Sequence, residues 1–266
     1  MTDARLRLEV DGAVARLTLA RPDKRNALDA AMIDTLLDHC RTIERSGVRV
    51  VLLTGEGGRS FCAGGDIAAW SALPPDQFAR HWVRDGHAAF DALTRLAQPV
   101  VAILNGDVWG GGLELAACAD YRISEDHARF GLPESGLGII PGWSGTQRTV
   151  RRFGPQIVRR MALFGETLTA QEALAAGLVD RVVPEGQGGI AADRLVEGLL
   201  TRAPRATELV KMLINAAEGE ESGRVLETLA GAIAAGSTDL AEGLAARRER
   251  RAPAFDALGT PTGGAS

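Results

Sequence analysis

Apolar and polar residues alternate over residues 5–20, RLRLEVDGAVARLTLA, on both sides of Asp11-Gly12. A period of two around a D-G pair predicts a β-hairpin. The period then changes. After the irregular RPDKRNALD, Asp29 stands as N-cap of a helix over AAMIDTLLDHCRTIE, with Ile33, Leu36, Leu37 and Cys40 on one face. Residues 48–54, VRVVLLT, are a short, mainly apolar run that reads as a buried strand. Residues 74–97 read as a long helix interrupted by Gly86, with Phe78, Trp82, Phe90 and Leu93 as its inward stripe. Residues 99–104 are a second buried strand, LELAACA a buried helix, and residues 121–124 a further short strand. Strand, helix and strand in this order predict an α/β layer architecture.

The pattern changes again in the last third. Thr169 and Glu172 make a T-x-x-E capping box, Gly177 is a helix stop, and LVDRVV is one late strand. From Ala191 onward, Leu195 and Leu199, Leu209 and Leu213, and Leu226, Leu229 and Ile233 recur at helical steps without further strands. The expected division is a core over 1–190, a helical region over 191–258 and a disordered tail over 259–266.

Composition narrows the function classes. A 266-residue chain that is 45% hydrophobic can bury a large core, and a net charge of −4 gives no global case for nucleic acid. MTDARLRLEV has no apolar h-region, and no apolar run approaches a membrane span. Cys40, Cys62 and Cys118 are odd in number and widely spaced, as expected of a reducing cytoplasm, and the four histidines form no ligand cluster. No metal site is expected.

The candidate chemistry lies in two glycine-rich loops that each follow a buried strand. In GEGGRSFCAGGDIAAW (55–70), Ala63, Gly64 and Gly65 are small enough for a ligand to reach main-chain N–H groups, and Asp66 caps the helix that follows. In NGDVWGGGLELAACAD (105–120), Gly110, Gly111 and Gly112 open a helix whose first N–H groups are free. Each loop can offer an N–H to one oxygen. Glu114 lies one turn into that helix, and Glu134 follows Pro133 in FGLPESGLG; carboxylates beside an oxyanion site suit proton transfer next to a carbonyl. A flexible GGG turn with a dipole-favoured Glu114 is the plainer reading of that loop alone. The second glutamate and the second loop favour the site. The glycines match neither a dinucleotide fingerprint nor a P-loop.

RPDKRNAL, SFCAGGDI, VVAILNGDVWGGGLELAACAD, FGLPESGLGIIPGWSGTQ and TLTAQEALAAGLVDRVVP occur in this order. Together they resemble the crotonase family, the enoyl-CoA hydratases and isomerases, over nearly the whole chain. The resemblance implies an α/β spiral of ββα units with a C-terminal helical region that builds homotrimers or homohexamers. It implies that the N–H groups of Ala63 and Gly111 hold a thioester oxygen. It places Lys24, Arg25, Ala27, Ala63, Gly64, Gly65, Asp66 and Ile67 along the coenzyme A site, with either basic residue on the phosphates. Family hydratases carry glutamates at both positions matching Glu114 and Glu134. Glu114 would then activate water for C3 and Glu134 protonate C2, with one pKa raised by the other charge. No cofactor is implied, because coenzyme A is part of the substrate. Trp143 stands where small residues are common and, with Trp82 and Trp109, is assigned to the acyl pocket.

The alternative within the family is an isomerase or lyase acting on an unusual acyl-CoA. A serine hydrolase is a poorer fit. Gly142-Trp143-Ser144-Gly145-Thr146 approaches G-x-S-x-G, but ends in threonine and shows no partnered histidine in the sequence. An RNA-binding role rests only on the basic runs 148–160 and 246–251, which suit solvated faces better.

Overall fold

The computed structural model of the chain describes residues 3–220 and 238–255. The stripe Leu226, Leu229 and Ile233 and the tail 259–266 lie outside the described residues. The strands are β1 (Leu6–Asp11), β2 (Val14–Leu19), β3 (Val50–Gly55), β4 (Ser60–Cys62), β5 (Val100–Leu104), β6 (Asp107–Trp109), β7 (Tyr121–Glu125), β8 (Arg129–Gly131), β9 (Leu168–Thr169) and β10 (Arg181–Val183). They form a six-stranded sheet in the order β1-β2-β3-β5-β7-β10 and a four-stranded sheet in the order β4-β6-β8-β9. The hairpin β1-β2 is antiparallel, with Asp11 opposite Val14 across the Gly12 turn. From β2 to β10 the large sheet is parallel.

Successive strands go alternately to the two sheets: β3, β5 and β7 to the large one, β4, β6 and β8 to the small one. A helical segment follows each short strand: Ile67–Trp70, Gly111–Ala116 and Glu134–Leu137. This is the expected spiral of ββα units. The short strands were not legible as strands. Three residues carry no periodicity, and SFC, DVW and RFG sit inside turn-rich text.

The continuous apolar runs behave as strands buried on both faces. Val51, Leu53, Val100, Ala102 and Leu104 join the main core, with helices Ala30–Glu44 and Arg84–Thr94. Val50, Leu52, Val101 and Ile103 face the other way, onto Ala191, Ala192 and Val196 of helix Gly188–Leu200. Each fully buried Leu or Val stabilises by roughly 1.5–3 kcal/mol. Leu53→Ala, at a fully buried site, should therefore cost about 2–5 kcal/mol, because a cavity adds to the lost transfer energy. Urea unfolding would measure it.

Predicted caps are present. The Asp29 carboxylate accepts from Met32 N, the Asp66 carboxylate accepts from Ala68 N, and Thr169 with Glu172 forms the capping box. The long helix differs from expectation. Its irregularity is a π-helical stretch, Phe78–Val83, and Gly86 lies within the regular helix Arg84–Thr94. Gly86 is explained by packing, since a Cβ there would collide with the Trp143 indole.

The chain forms two compact units, Met1–Lys211 and Met212–Ser266. In the first, Lys211 Nζ donates to Asp120 Oδ2 at 2.7 Å and to the Gln98 carbonyl at 2.9 Å. In the second, helix Thr238–Glu249 is followed by Arg251, which pairs with Glu242 at 2.6 Å. No helix among the described residues is long and apolar enough to cross a membrane.

Candidate active site

β4, β6 and β8 are parallel neighbours, with Cys62 beside Val108 and Trp109 beside Gly131. Their C-terminal ends therefore deliver three loops to one place: Ala63–Gly65, Gly110–Gly111 and Pro133–Glu134. Ligands commonly bind at the carboxyl ends of parallel strands. Here a solvent-open cleft of about 570 Å³ is lined by Gly65, Gly111, Glu114, Glu134, Trp82 and Trp143, among others. The first two loops touch: a Cβ on Gly64 would lie 3.0 Å from Gly111 N, and Gly64 has φ +92°, a left-handed conformation suited to glycine.

Glu114 is 3% exposed and sits in helix Gly111–Ala116. Its Oε1 accepts two hydrogen bonds, from the N–H groups of Trp143 and Gly145, each at 2.6 Å. Burial pushes its pKa up to about 7. The Glu134 charge adds to the rise, while the two N–H donors and Arg148 oppose it. Glu134 is 7% exposed, and its Oε2 is buried without a hydrogen-bond partner. Burial likewise raises its pKa to about 7. Gly110 leaves the room this carboxylate needs, since a Cβ there would collide with its Oε1. Two carboxyl groups that both titrate near neutrality in one cleft can divide into a base and an acid.

The expected oxyanion donor Ala63 is a correction. Its N–H donates to the Arg25 carbonyl at 3.0 Å, tying this loop to the RPDKRN segment. Gly65, two residues on, lines the cleft, and its N–H meets no acceptor among the described residues. The same holds for Gly111, whose N–H is one of the unpaired donors of a helix start. The sequence signal for Gly65 was its position between the turn glycine and the capping aspartate.

Other expected residues divide. Gly64 and Ile67 line the cleft; Lys24, Arg25, Ala27 and Asp66 do not. Lys24 and Arg25 are exposed, Ala27 is buried, and Asp66 pairs with Arg21 at 2.7 Å. Asn26 was overlooked. It is fully buried at φ +57°, and its Nδ2 donates to Glu56 O at 3.1 Å and Ser60 O at 2.8 Å, holding this segment against β4.

Trp82 and Trp143 line the cleft, joined by Trp70 and Phe78, which the sequence did not assign to the acyl pocket. Trp109 does not belong there: its ring lies against Gly131, where a Cβ would be 2.6 Å from it. Ser144 does have a histidine, with Oγ 3.0 Å from His87 Nδ1. Neither residue lines the cleft, so the pair does not make a hydrolase nucleophile.

The family model for enoyl-CoA hydratase/isomerase matches residues 9–257. The chain belongs to the enoyl-CoA hydratase/isomerase family. Among its relatives in that family, the short-chain-enoyl-CoA hydratase of Clostridium acetobutylicum is 37% identical over 209 residues, covering 78% of this chain and 80% of the relative. The crotonyl-CoA hydratase of Syntrophomonas wolfei is 33% identical over 251 residues, covering 93% and 96%. The crystal structure of enoyl-CoA hydratase from Bacillus anthracis superposes with a TM-score of 0.78 at 32% identity, covering 94% of this chain and 98% of that one. Membership of the enoyl-CoA hydratase/isomerase family accords with the ββα spiral.

Proposed function

We propose that this protein is an enoyl-CoA hydratase, adding water across the 2,3 double bond of a 2-enoyl-CoA to give a 3-hydroxyacyl-CoA. The carrying observation is the pair of buried carboxyl groups, both titrating near 7, in the cleft that Gly65 and Gly111 also line. The thioester oxygen sits against the N–H groups of Gly65 and Gly111, where negative charge develops as water attacks C3. Glu114, oriented by its two backbone donors, removes a proton from that water. Glu134, protonated, gives its proton to C2, and dehydration reverses both transfers. One water is consumed, nothing is oxidised or reduced, and the reaction as written draws on no cofactor. Lys24 and Arg25, exposed beside the loop, are proposed for the phosphates of coenzyme A. The chain is proposed to act as a cytoplasmic homotrimer or homohexamer; exposed Leu163 and Phe164 suit burial between subunits. Loss of enoyl absorbance with a panel of enoyl-CoA esters, and a product heavier by one water, tests the assignment. A product of unchanged mass would replace it with an isomerase.

Acyl length follows from Trp143. The indole is 3% exposed, donates Nε1–H to the Trp82 carbonyl at 3.0 Å, and meets Phe90 edge-on at 5.2 Å. It packs so closely on Gly111 that a Cβ there would lie 2.9 Å from the ring. A wall this fixed, beside the thioester-oxygen site, favours short acyl groups. Trp143→Ala should raise the kcat/KM ratio of an eight-carbon to a four-carbon enoyl-CoA by about tenfold or more, as each methylene accommodated is worth ~1–3 kcal/mol. An unchanged ratio would remove Trp143 from the pocket. Trp143→Leu serves as the milder variant, since emptying this site to Ala costs about 3–5 kcal/mol of stability.

A further inference from the structure

Ser144 stands between the two N–H groups that hold Glu114. Its φ is +79°, in the left-handed region where an L side chain is strained, although a glycine follows it at position 145 and another stands at 142. That conformation has a use. A positive φ in the middle of a three-residue turn aims the flanking N–H groups at one point, making an anion-holding nest. The N–H groups of Trp143 and Gly145 both reach Glu114 Oε1 at 2.6 Å. The Ser144 carbonyl also accepts from Gln147 N at 3.2 Å and Arg148 N at 2.9 Å, leading into helix Arg148–Phe153.

The side chain has a partner on a different helix. Ser144 is 7% exposed, and its Oγ lies 3.0 Å from Nδ1 of His87, on helix Arg84–Thr94. Neither residue lines the cleft. We propose that the Ser144–His87 hydrogen bond is a positioning latch, fixing the turn whose N–H groups hold the Glu114 carboxylate in place. The proposal rests on the reading of Glu114 as the proton-transfer group. It requires only that Nδ1 and Oγ share a proton, whichever is the donor.

Kinetics of the full-length enzyme on a four-carbon enoyl-CoA test the latch. Ser144→Ala keeps the strain and loses the hydroxyl; His87→Ala keeps the hydroxyl and loses its partner. Each should lower kcat about tenfold, the scale of one lost hydrogen bond, with KM changed less than twofold. Each should also move the acid limb of the kcat–pH profile upward, because loosened N–H donors stabilise the carboxylate less. Glu134, Arg148 and, behind Arg148, Asp91 are the other charged groups around this carboxylate, and none is altered. Ser144→Gly, at ease with φ +79°, should lose less than Ser144→Ala. His87→Asn, which places an amide near Nδ1, should recover most of the His87→Ala loss. The double alanine variant should fall no further than either single one. Wild-type kcat and pH limb in both single variants, additive losses, or no recovery by His87→Asn would overturn the latch. Glu114→Gln separates the two levels. If it is inactive while the latch variants behave as wild type, only the latch fails; if it is active, the reading of Glu114 itself fails.

Discussion

Glu114→Gln should lower kcat for hydration about 10²–10⁴-fold, and Glu134→Gln by a similar factor, because each removes a proton carrier from the transition state. Glutamine keeps the size of the side chain. At position 114 its carbonyl oxygen can accept the Trp143 and Gly145 N–H groups that now reach Oε1, so the loop has no reason to move. At position 134 Oε2 has no partner to lose, and the glutamine carbonyl can keep the bond that the carboxyl accepts from the residue's own backbone N–H. KM for the enoyl-CoA should change little, since the donors proposed for the thioester oxygen, Gly65 and Gly111, act through main-chain atoms. The double variant should lose far less than the product of the single losses, as groups acting in one step are not additive. Near wild-type hydration in either single variant would rule out the two-glutamate mechanism and favour an isomerase or lyase with one essential carboxylate.

The second large effect is on pH. Both carboxyl groups are raised to about 7, chiefly by burial. The proposed mechanism needs Glu114 ionised and Glu134 protonated. Below the lower apparent pKa the base takes up a proton and kcat falls; above the upper one the acid loses its proton and kcat falls again. The result is a bell around neutrality whose outer limbs change about tenfold per pH unit, with apparent values that belong to the pair. A flat profile between pH 5 and 9 would contradict the assignment. Stability should move with it. Both groups keep their protons in the folded state to about 7, but in the unfolded chain only to the ordinary 4.5. Their contribution is fully present below 4.5 and is lost as pH rises through about 7, so the folded state weakens across that window. Either glutamine variant should therefore melt higher than wild type at pH 8, where wild type buries two ionised carboxylates. Calorimetry at pH 5 and pH 8 would show whether the gap opens as expected.

The residues alone determined much of this protein, wherever the governing interaction is short in sequence. The hairpin around Asp11-Gly12, the caps at Asp29, Asp66 and Thr169, and the strands that hold Val51 and Leu53 follow from backbone hydrogen bonds and periodicity within a few residues. The two glutamates and the glycine loops were legible because their residue types limit what chemistry is possible. Tertiary structure decided which donors are free. Ala63 and Gly65 are both small, but only the Ala63 N–H meets a carbonyl, that of Arg25, brought in from 38 residues away along the chain. It decided the meaning of Gly86, which makes room for the Trp143 indole rather than breaking a helix. It also moved Trp109 out of the pocket, onto Gly131. The raised pKa values and the meeting of Ser144 with His87 belong to the same class. Burial and partners supplied by distant segments set them, and no local pattern encodes either.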